Sequence, residues 1–459
     1  MNNLKSKLNL YFGSFLSQFS MLLILLLVVR DAPVKSIALL AIVDGILLFL
    51  PFFLTMVSER AAIIAFYERS PTRGYRLFAT GYIIVFSLTV LSAIIWLPIQ
   101  AFINEDYIFL SFLVIIAAAG NGLFNIQLQR YIVQENFTGL ATSQAKRGVV
   151  VIFVGLTLQY LDVDAAYTYP ATIFFGSLVA ISGSMKATLS YWEPRHLKLQ
   201  IKYLFKICYI ALIILFFGFV IANAGRFFLE INSKEQDLAI LLLYLKTALL
   251  TTVAMTPFAT FLKPLILKEF RKTRNRIPKG WHQLIYFSFF VSVGTISSFN
   301  VLWAVWGVDE LKPDYFSFAI CLVGSTTMWL MSSIIELYFE QSSYIKKKII
   351  VFGLPSAFLV LGLFLMDTSV NYEVVLAMVS ISQFFILSLG LFTAFKFREF
   401  YKEYFSMLLS LGLILLIGYW MNSIAASYAG TILFNITTAG TTALCGGISL
   451  YYLFKYSHK

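Results

Sequence analysis

Apolar stretches of about 20 residues recur along the whole chain, and they limit its fold more than any other feature. The sequence is 59% hydrophobic and 13% charged, with a mean hydropathy of +0.81, whereas a soluble protein carries about 25% charged residues. In lipid every backbone polar group must pair internally, so only helices and closed barrels cross a membrane. Long uninterrupted apolar runs exclude a barrel. The sequence therefore predicts an all-α polytopic membrane protein.

The apolar segments, together with the basic loops that separate them, predict about fourteen transmembrane helices. The predicted spans are 8–29, 35–57, 77–97, 107–129, 147–161, 170–190, 205–226, 237–260, 283–306, 315–337, 349–366, 374–394, 405–421 and 429–454.

The charge distribution predicts the orientation of these helices. With the N-terminus inside, most of the 35 basic residues fall in inner loops, such as 60–76 and 346–348, and the outer loops are mainly acidic. Lys146 and Arg147 are assigned to an inner loop just before the fifth helix. This bias is the positive-inside signature of membrane insertion, so the net charge of +12 requires no nucleic-acid partner. The prediction is a multi-pass protein of the bacterial inner membrane with both termini cytoplasmic.

Two charged residues interrupt apolar segments near their middle. Asp44 lies in IALLAIVDGILLFLPFF and Lys246 in LLLYLKTALLTTVAM. A charge at the bilayer centre costs at least about 2.5–3.5 kcal/mol, so such residues usually serve a function. Asp44 is suited to bind a proton or sodium ion or to face a cationic substrate group; a structural hydrogen bond is the alternative. Lys246 is suited to attract an anionic head group or to pair with Asp44, and snorkelling is its alternative.

Five further polar residues are candidates for the same pathway. Arg30 lies at the end of the first helix. There it would either line the same cleft or anchor the helix at the membrane interface. Asn121 and Asn125 share one face of the fourth helix, where they suit sugar or amide groups or hydrogen bonds between helices. Arg60 and Lys263 lie toward the inner ends of the second and eighth helices. They are candidates for a phosphate contact at an inner entrance, although positive-inside anchoring explains them more simply.

The chain is predicted to form two six-helix lobes, residues 1–195 and 196–398, followed by two additional helices in 399–459. An amphipathic segment, 191–206, is predicted to connect the lobes along the inner surface. The first helix of each lobe ends in an arginine, Arg30 or Arg226, and the second carries the mid-membrane charge. Repeated halves with a site at their interface are the usual design of secondary transporters.

Motifs of enzymes and metal sites are missing from the sequence. It contains no G-x-x-x-x-G-K-[ST] loop, no H-E-x-x-H and no Cys/His cluster. The predicted outer loops are too short for a catalytic domain. We therefore expect no enzyme activity, no catalytic residues, no metal and no cofactor.

The two six-helix lobes, the short loops and the basic, proline-containing segment TPFATFLKPLILKEFRKTR (256–274) resemble the multidrug/oligosaccharidyl-lipid/polysaccharide exporter superfamily. Within it, polysaccharide and lipid-linked oligosaccharide flippases are nearest. The resemblance implies a V-shaped cavity that opens alternately to each side, while lipid tails remain in the bilayer. Peptidoglycan-precursor flippases carry several cavity arginines, whereas this chain offers only Arg30 and Lys246, a departure that argues against that particular substrate. Ion-coupled drug exporters use an acid in the first lobe, a role that Asp44 would take here.

The predicted function is therefore a flippase. It would move a lipid-linked oligosaccharide or polysaccharide precursor from the inner to the outer leaflet by alternating access. Its expected partners are the lipid-linked saccharide, membrane lipids, H⁺ or Na⁺ as coupling ion, and glycan-assembly proteins. The alternative is an H⁺- or Na⁺-coupled exporter of small molecules of the multidrug-extrusion type. A scaffold protein without transport activity has no sequence feature in its favour.

Overall fold

The computed structural model is helical, and no strand occurs among the residues it describes, 2–428 without 31, 69, 274–280, 300–313, 333–344, 367–369 and 396. The α-helices in chain order are α1 (Asn2–Arg30), α2 (Val34–Thr55), α3 (Ser58–Glu68), α4 (Pro71–Ile103), α5 (Ile108–Val133), α6 (Phe137–Tyr160), α7 (Ala165–Leu189), α8 (Leu197–Ile231), α9 (Glu235–Thr273), α10 (Trp281–Ser297), α11 (Tyr315–Leu330), α12 (Ile345–Met366), α13 (Tyr372–Ala394) and α14 (Phe397–Tyr428).

Polar side chains fix where several of these helices begin. Ser70 accepts a hydrogen bond from the backbone of Arg73, and Pro71 occupies the first turn of α4. Asn136 accepts in the same way at the start of α6, and Asp164 at the start of α7. These side chains satisfy backbone N–H groups that have no partner within the helix, so the loop residues determine the helix starts.

Ten helical segments of the described chain are long and apolar enough to cross a membrane. They coincide with ten of the predicted spans, and two shorter apolar helices, Leu284–Ser297 and Tyr315–Leu330, lie within two more. The fifth predicted span corresponds to α6, and the fourteenth lies outside the described residues. The chain is therefore a multi-pass membrane protein, and the count of fourteen stays a prediction.

The chain divides into two compact units, residues 1–219 (unit 1) and 220–459 (unit 2), with α8 running across the division. In unit 1, α6 packs against α1 and α7, and α5 packs against α2, α4 and α7. In unit 2, α11 packs against α9, α13 and α14, and α12 packs against α13. The predicted lobe boundaries at 195 and 398 stay predictions.

Glycines bring α1 and α6 unusually close together. A Cβ added at Gly13 would lie 2.5 Å from the backbone oxygen of Ala141, and one at Gly148 would lie 2.8 Å from that of Leu16. Real Cβ atoms essentially never approach other atoms this closely, so both positions require glycine. Small residues that let helix backbones meet are typical of membrane interfaces. This contact sets the position of α6.

Helix α3 replaces part of the basic loop that the sequence predicts after the second span. The chain breaks between α2 and α3 at Met56 and Val57, whose φ angles are 49° and 53°. A positive φ is a rare conformation for a β-branched residue such as Val57. The hydroxyl of Thr55 accepts from Val57 N at 3.2 Å, and the Cys208 thiol donates to Val57 O at 3.4 Å. Side chains on α2 and α8 thus hold the break.

The predicted connector at 191–206 is not a separate surface helix. A short 3₁₀ turn, Pro194–His196, precedes α8, which begins at Leu197 and continues without interruption to Ile231. The second part of the connector is therefore the first part of a long helix.

Candidate functional site

Asp44 lies in the middle of α2 and is 1% exposed. The hydroxyl of Tyr169, on α7, donates a hydrogen bond to Asp44 Oδ1 at 3.1 Å. A buried carboxylate is tolerated only where donors or cations offset its lost hydration. Tyr169 supplies one such donor. The sequence contains 25 tyrosines, and no pattern distinguishes this one.

Arg147 is a second buried charge in unit 1, and its predicted inner-loop position is wrong. α6 begins at Phe137, so Arg147 lies well inside the helix, and its side chain is only 9% exposed. One guanidinium nitrogen, Nη2, donates to Asn121 Oδ1 on α5 at 2.9 Å. The guanidinium also lies 4.4 Å from the ring centroid of Phe124, in cation–π geometry.

Two hydrogen-bonded pairs therefore lie inside unit 1: Asp44 with Tyr169, and Arg147 with Asn121. Tyr169 donates a hydrogen bond to Asp44, and Arg147 donates one to Asn121. The four residues come from α2, α7, α6 and α5, so every link joins two different helices. Unit 1 thus buries an acid and an arginine, each with a hydrogen-bond partner on another helix.

A separate polar cluster occupies the predicted inner end of unit 1. Arg130, on α5, donates to the hydroxyl of Thr188 on α7, which in turn donates to Gln127 Oε1 at 3.0 Å. The Arg130 guanidinium also faces the rings of Tyr75 and Tyr191, at 5.9 and 6.0 Å from their centroids. This arrangement fastens α5 to α7 and to the start of the connector, which indicates a structural role.

Unit 2 buries three cationic side chains. Lys246 lies near the middle of the apolar segment Glu235–Val253 of α9 and is 4% exposed. Arg226 on α8 and Lys348 on α12 are also buried, although the sequence predicts them at a helix end and in an inner basic loop. Among the described residues of unit 2, these three are the buried side chains that carry a formal charge. The described interior of unit 2 is therefore basic, whereas unit 1 buries both signs.

Asp314 organises the predicted outer end of unit 2. Its side chain accepts from Phe316 N and Ser317 N at the start of α11, and Asn422 on α14 donates to it. Burial raises the pKa of this carboxyl, but the hydrogen bonds from Ser317, Asn422 and Phe316 outweigh burial and hold the pKa below its ordinary value. Asp314 thereby joins α14 to α11.

The remaining predicted site residues are dispersed. Arg30 is exposed at the end of α1, Asn125 is half-buried on α5, and Arg60 is half-buried in the first turn of α3. Lys263 lies in α9, and its side chain falls outside the described part. Asp44 belongs to unit 1 and Lys246 to unit 2. The structure thus gives Asp44 and Asn121 separate partners that the sequence did not indicate, Tyr169 and Arg147.

A metal site is not visible in the described part of the chain, where no group of three or more His, Cys, Asp or Glu side chains could hold an ion. The chemistry of the described interior is instead that of fixed charges and hydrogen bonds.

Comparison with solved structures identifies the fold. The chain is similar to the lipid II flippase MurJ in an inward closed conformation, with a TM-score of 0.60 and 14% identity over 98% of this chain and 99% of that one. It is also similar to a MOP superfamily transporter from Pyrococcus furiosus described as having a binding pocket of reverse polarity (TM-score 0.61, 12% identity, 90% and 96% of the chains). A third similar structure is the MATE transporter VcmN of Vibrio cholerae (TM-score 0.52, 12% identity, 90% and 99%).

No protein-family model and no curated protein sequence matches the chain. The structural similarities at 12–14% identity show the fold, which is that of transporters of the multidrug/oligosaccharidyl-lipid/polysaccharide superfamily. The predicted resemblance is confirmed at this level.

Proposed function

We propose that this multi-pass membrane protein transports a lipid-linked saccharide with an anionic head group from the inner to the outer leaflet by alternating access. The observation that carries the proposal is the basic interior of unit 2, with Lys246 buried in the middle of α9. Buried cations are retained in membrane helices where they meet an anion, and a diphosphate bridge between lipid and sugar is such an anion.

The extent of the structural similarity supports the same substrate class. The match to the lipid II flippase covers 98% of this chain, whereas the match to the MATE transporter covers 90%. A lipid-linked substrate also suits an interior that offers charge for the head group while the lipid tails remain in the bilayer.

A second candidate is an exporter of small molecules driven by H⁺ or Na⁺, and the buried Asp44 favours it. A buried carboxyl in the middle of α2, with the hydroxyl of Tyr169 hydrogen-bonded to it, has the character of a protonation or ion site. The two candidates differ in substrate, so one set of variants separates them.

The test combines native mass spectrometry of the gently purified protein with substitutions of Lys246. We expect a bound polyprenyl-linked saccharide in the wild type, and at least about a tenfold loss of its occupancy in Lys246→Met, the effect of losing one buried charge-assisted contact. Lys246→Arg keeps the charge and should keep the lipid. Lys202→Met, at an exposed position on α8, is the matched control.

The cellular outcome distinguishes the two candidates. Lys246→Met should abolish surface polysaccharide and leave drug tolerance unchanged. If surface glycans persist and drug sensitivity rises instead, the exporter is the correct function and the flippase proposal is wrong.

A further inference from the structure

A buried carboxyl lies at the break between α2 and α3, at the predicted inner end of unit 1. Glu59 belongs to the first turn of α3 and is only 7% exposed. Its buried Oε2 atom has no hydrogen-bond partner among the described residues. An ionised carboxyl is tolerated in an interior only where donors or cations replace the water it has lost. The site therefore suits the protonated, neutral form of the side chain better than the carboxylate.

The groups around Glu59 favour a proton that can be both bound and released. Burial raises the pKa of Glu59, and the hydrogen bond of its own backbone and the positive charge of Arg60 offset the burial only in part. The titratable neighbour on α8 is the thiol of Cys208. Helix α4 meets the start of α3 at Gly81, beside Ile126 of α5, and neither residue is charged.

The adjoining break has a conformation that the backbone does not favour. Met56 and Val57 have φ angles of 49° and 53°, in the left-handed region, which costs energy for residues with a Cβ. Such conformations persist only where the surroundings determine them. Here the Thr55 hydroxyl and the Cys208 thiol do so, through hydrogen bonds with the backbone of Val57. Glu59 lies two residues farther along the chain, so a charge on its side chain would form directly beside the contacts that hold the break.

We propose that Glu59 is a proton-binding site that controls the break between α2 and α3. With the proton bound, the neutral side chain stays buried and the break keeps the conformation described above. On release, the O–H bond of the carboxyl breaks, the proton passes to water on the predicted inner side, and the carboxylate keeps the negative charge. Because the described interior offers no donor to Oε2, the carboxylate turns out toward water and draws the first turn of α3 away from the break.

The ligand in this proposal is H⁺, and its position at the inner end of unit 1 is distinct from that of Asp44 in the middle of α2. Proton binding by Glu59 does not depend on which substrate is transported. Only its use in alternating access rests on the proposed function, because a break that responds to proton release would link the inner pH to the shape of unit 1.

Infrared difference spectra between about pH 6 and about pH 9 test the proton site in full-length protein in nanodiscs. The wild type should lose a carbonyl band of a protonated carboxyl as the pH rises. Glu59→Gln, which keeps the shape of the neutral side chain, should lack this component. A Glu59→Gln spectrum equal to that of the wild type would show that Glu59 exchanges no proton in this range and would overturn the proposal.

Glu135→Gln is the matched control. Glu135 is also an acid at a break between two helices of unit 1, and its φ of 53° is positive too, but its side chain is exposed. We expect the spectrum of Glu135→Gln to retain the carboxyl band of the wild type. Loss of the band in this control would assign the proton to Glu135 and overturn the assignment to Glu59.

Hydrogen–deuterium exchange measures the link between the proton and the break. The amide of Val57 donates to Phe52 O at 3.2 Å, so its exchange reports whether the break is held. Corrected for the intrinsic effect of pH, exchange at Val57 in the wild type should be about tenfold faster at the higher pH, because each pH unit above the pKa of the site favours the released form tenfold. In Glu59→Gln the corrected rates should be equal at both values.

The wild type alone decides the proposal if Glu59→Gln does not fold. A wild type without a pH-dependent carboxyl band has no such proton site, and corrected exchange at Val57 that does not change with pH would show that the break is not controlled by a proton. Either result overturns the proposal. None of these measurements uses a lipid substrate, whereas the test of the flippase proposal uses lipid retention at Lys246, so failure of either proposal leaves the other standing.

Discussion

Gly148 is the position at which the packing around Arg147 is most sharply testable, because it is the next residue on α6. We predict that Gly148→Ala displaces α6 from α1. The added methyl would lie 2.8 Å from the Leu16 carbonyl oxygen and 2.9 Å from Leu16 Cγ. Ordinary van der Waals contact begins at 3.4 Å, so the helices must separate by roughly half an ångström. A backbone oxygen inside a helix cannot rotate away, so the whole contact must yield.

The size of this effect follows from a comparison with Gly183, on α7. A Cβ added at Gly183 meets nothing within 4 Å. Both substitutions gain about 1 kcal/mol of intrinsic helix preference, while overpacking costs about 1–3 kcal/mol at Gly148 only. The difference between the two variants therefore isolates the clash, and Gly148→Ala should be about 1–3 kcal/mol less stable than Gly183→Ala.

Thermal unfolding in nanodiscs measures this difference. The apparent melting temperature of Gly148→Ala should lie about 1–3 °C below that of Gly183→Ala. Equal melting temperatures for the two variants would refute the close α1–α6 contact.

Two further predictions concern the hydrogen bonds of single side chains. Tyr169→Phe removes a donor to the Asp44 carboxylate and should destabilise the protein by about 1.5–3 kcal/mol in thermal unfolding; adding Tyr169→Phe to Asp44→Asn should then cost much less, and strict additivity would contradict the contact. The pKa of the Asp314 carboxyl is held below its ordinary value of 3.8, so its contribution to stability is present above that value and is lost as the pH falls toward the lower pKa of the folded state. Asp314→Ala should lower the melting temperature at neutral pH and flatten its decline on the acid side, and an unchanged acid-side slope would contradict this role.

The membrane helices were predictable because the bilayer imposes a length and a composition on them. Their ends were less predictable, since a helix continues past the apolar core wherever caps and packing support it. α4 begins at Pro71 rather than at 77, and α9 continues to Thr273 rather than 260. The sequence of α3 contains no apolar pattern that would distinguish this helix from a loop. Its helical form depends on packing against α4 and α5, which a sequence pattern does not contain.

The burial of Asp44 and Lys246 follows from the rule that a mid-membrane charge is retained for a use, and both side chains are buried as that rule implies. The rule does not identify partners. Tyr169 meets Asp44 across 125 positions of sequence, and one tyrosine among many carries no marker of that contact. For Asn121 the sequence favours a sugar or amide contact and a hydrogen bond between helices equally, and in the structure its amide oxygen accepts from Arg147 on α6.

The positive-inside rule, from which the topology is predicted, also places Arg147 in a loop rather than inside a helix. An excess of basic residues marks inner loops, so the sequence pattern places Lys146 and Arg147 at the end of a loop and predicts that the fifth span starts at 147. The structure starts α6 ten residues earlier, at Phe137, because Asn136 caps it and Gly148 and Gly155 let it approach α1. α6 is not among the ten segments that are long and apolar enough to cross a membrane. A helix that hydropathy alone excludes is thus held in the bundle by glycine packing, and Arg147, whose charge lowers the hydropathy of α6, contacts Asn121 and Phe124 on α5.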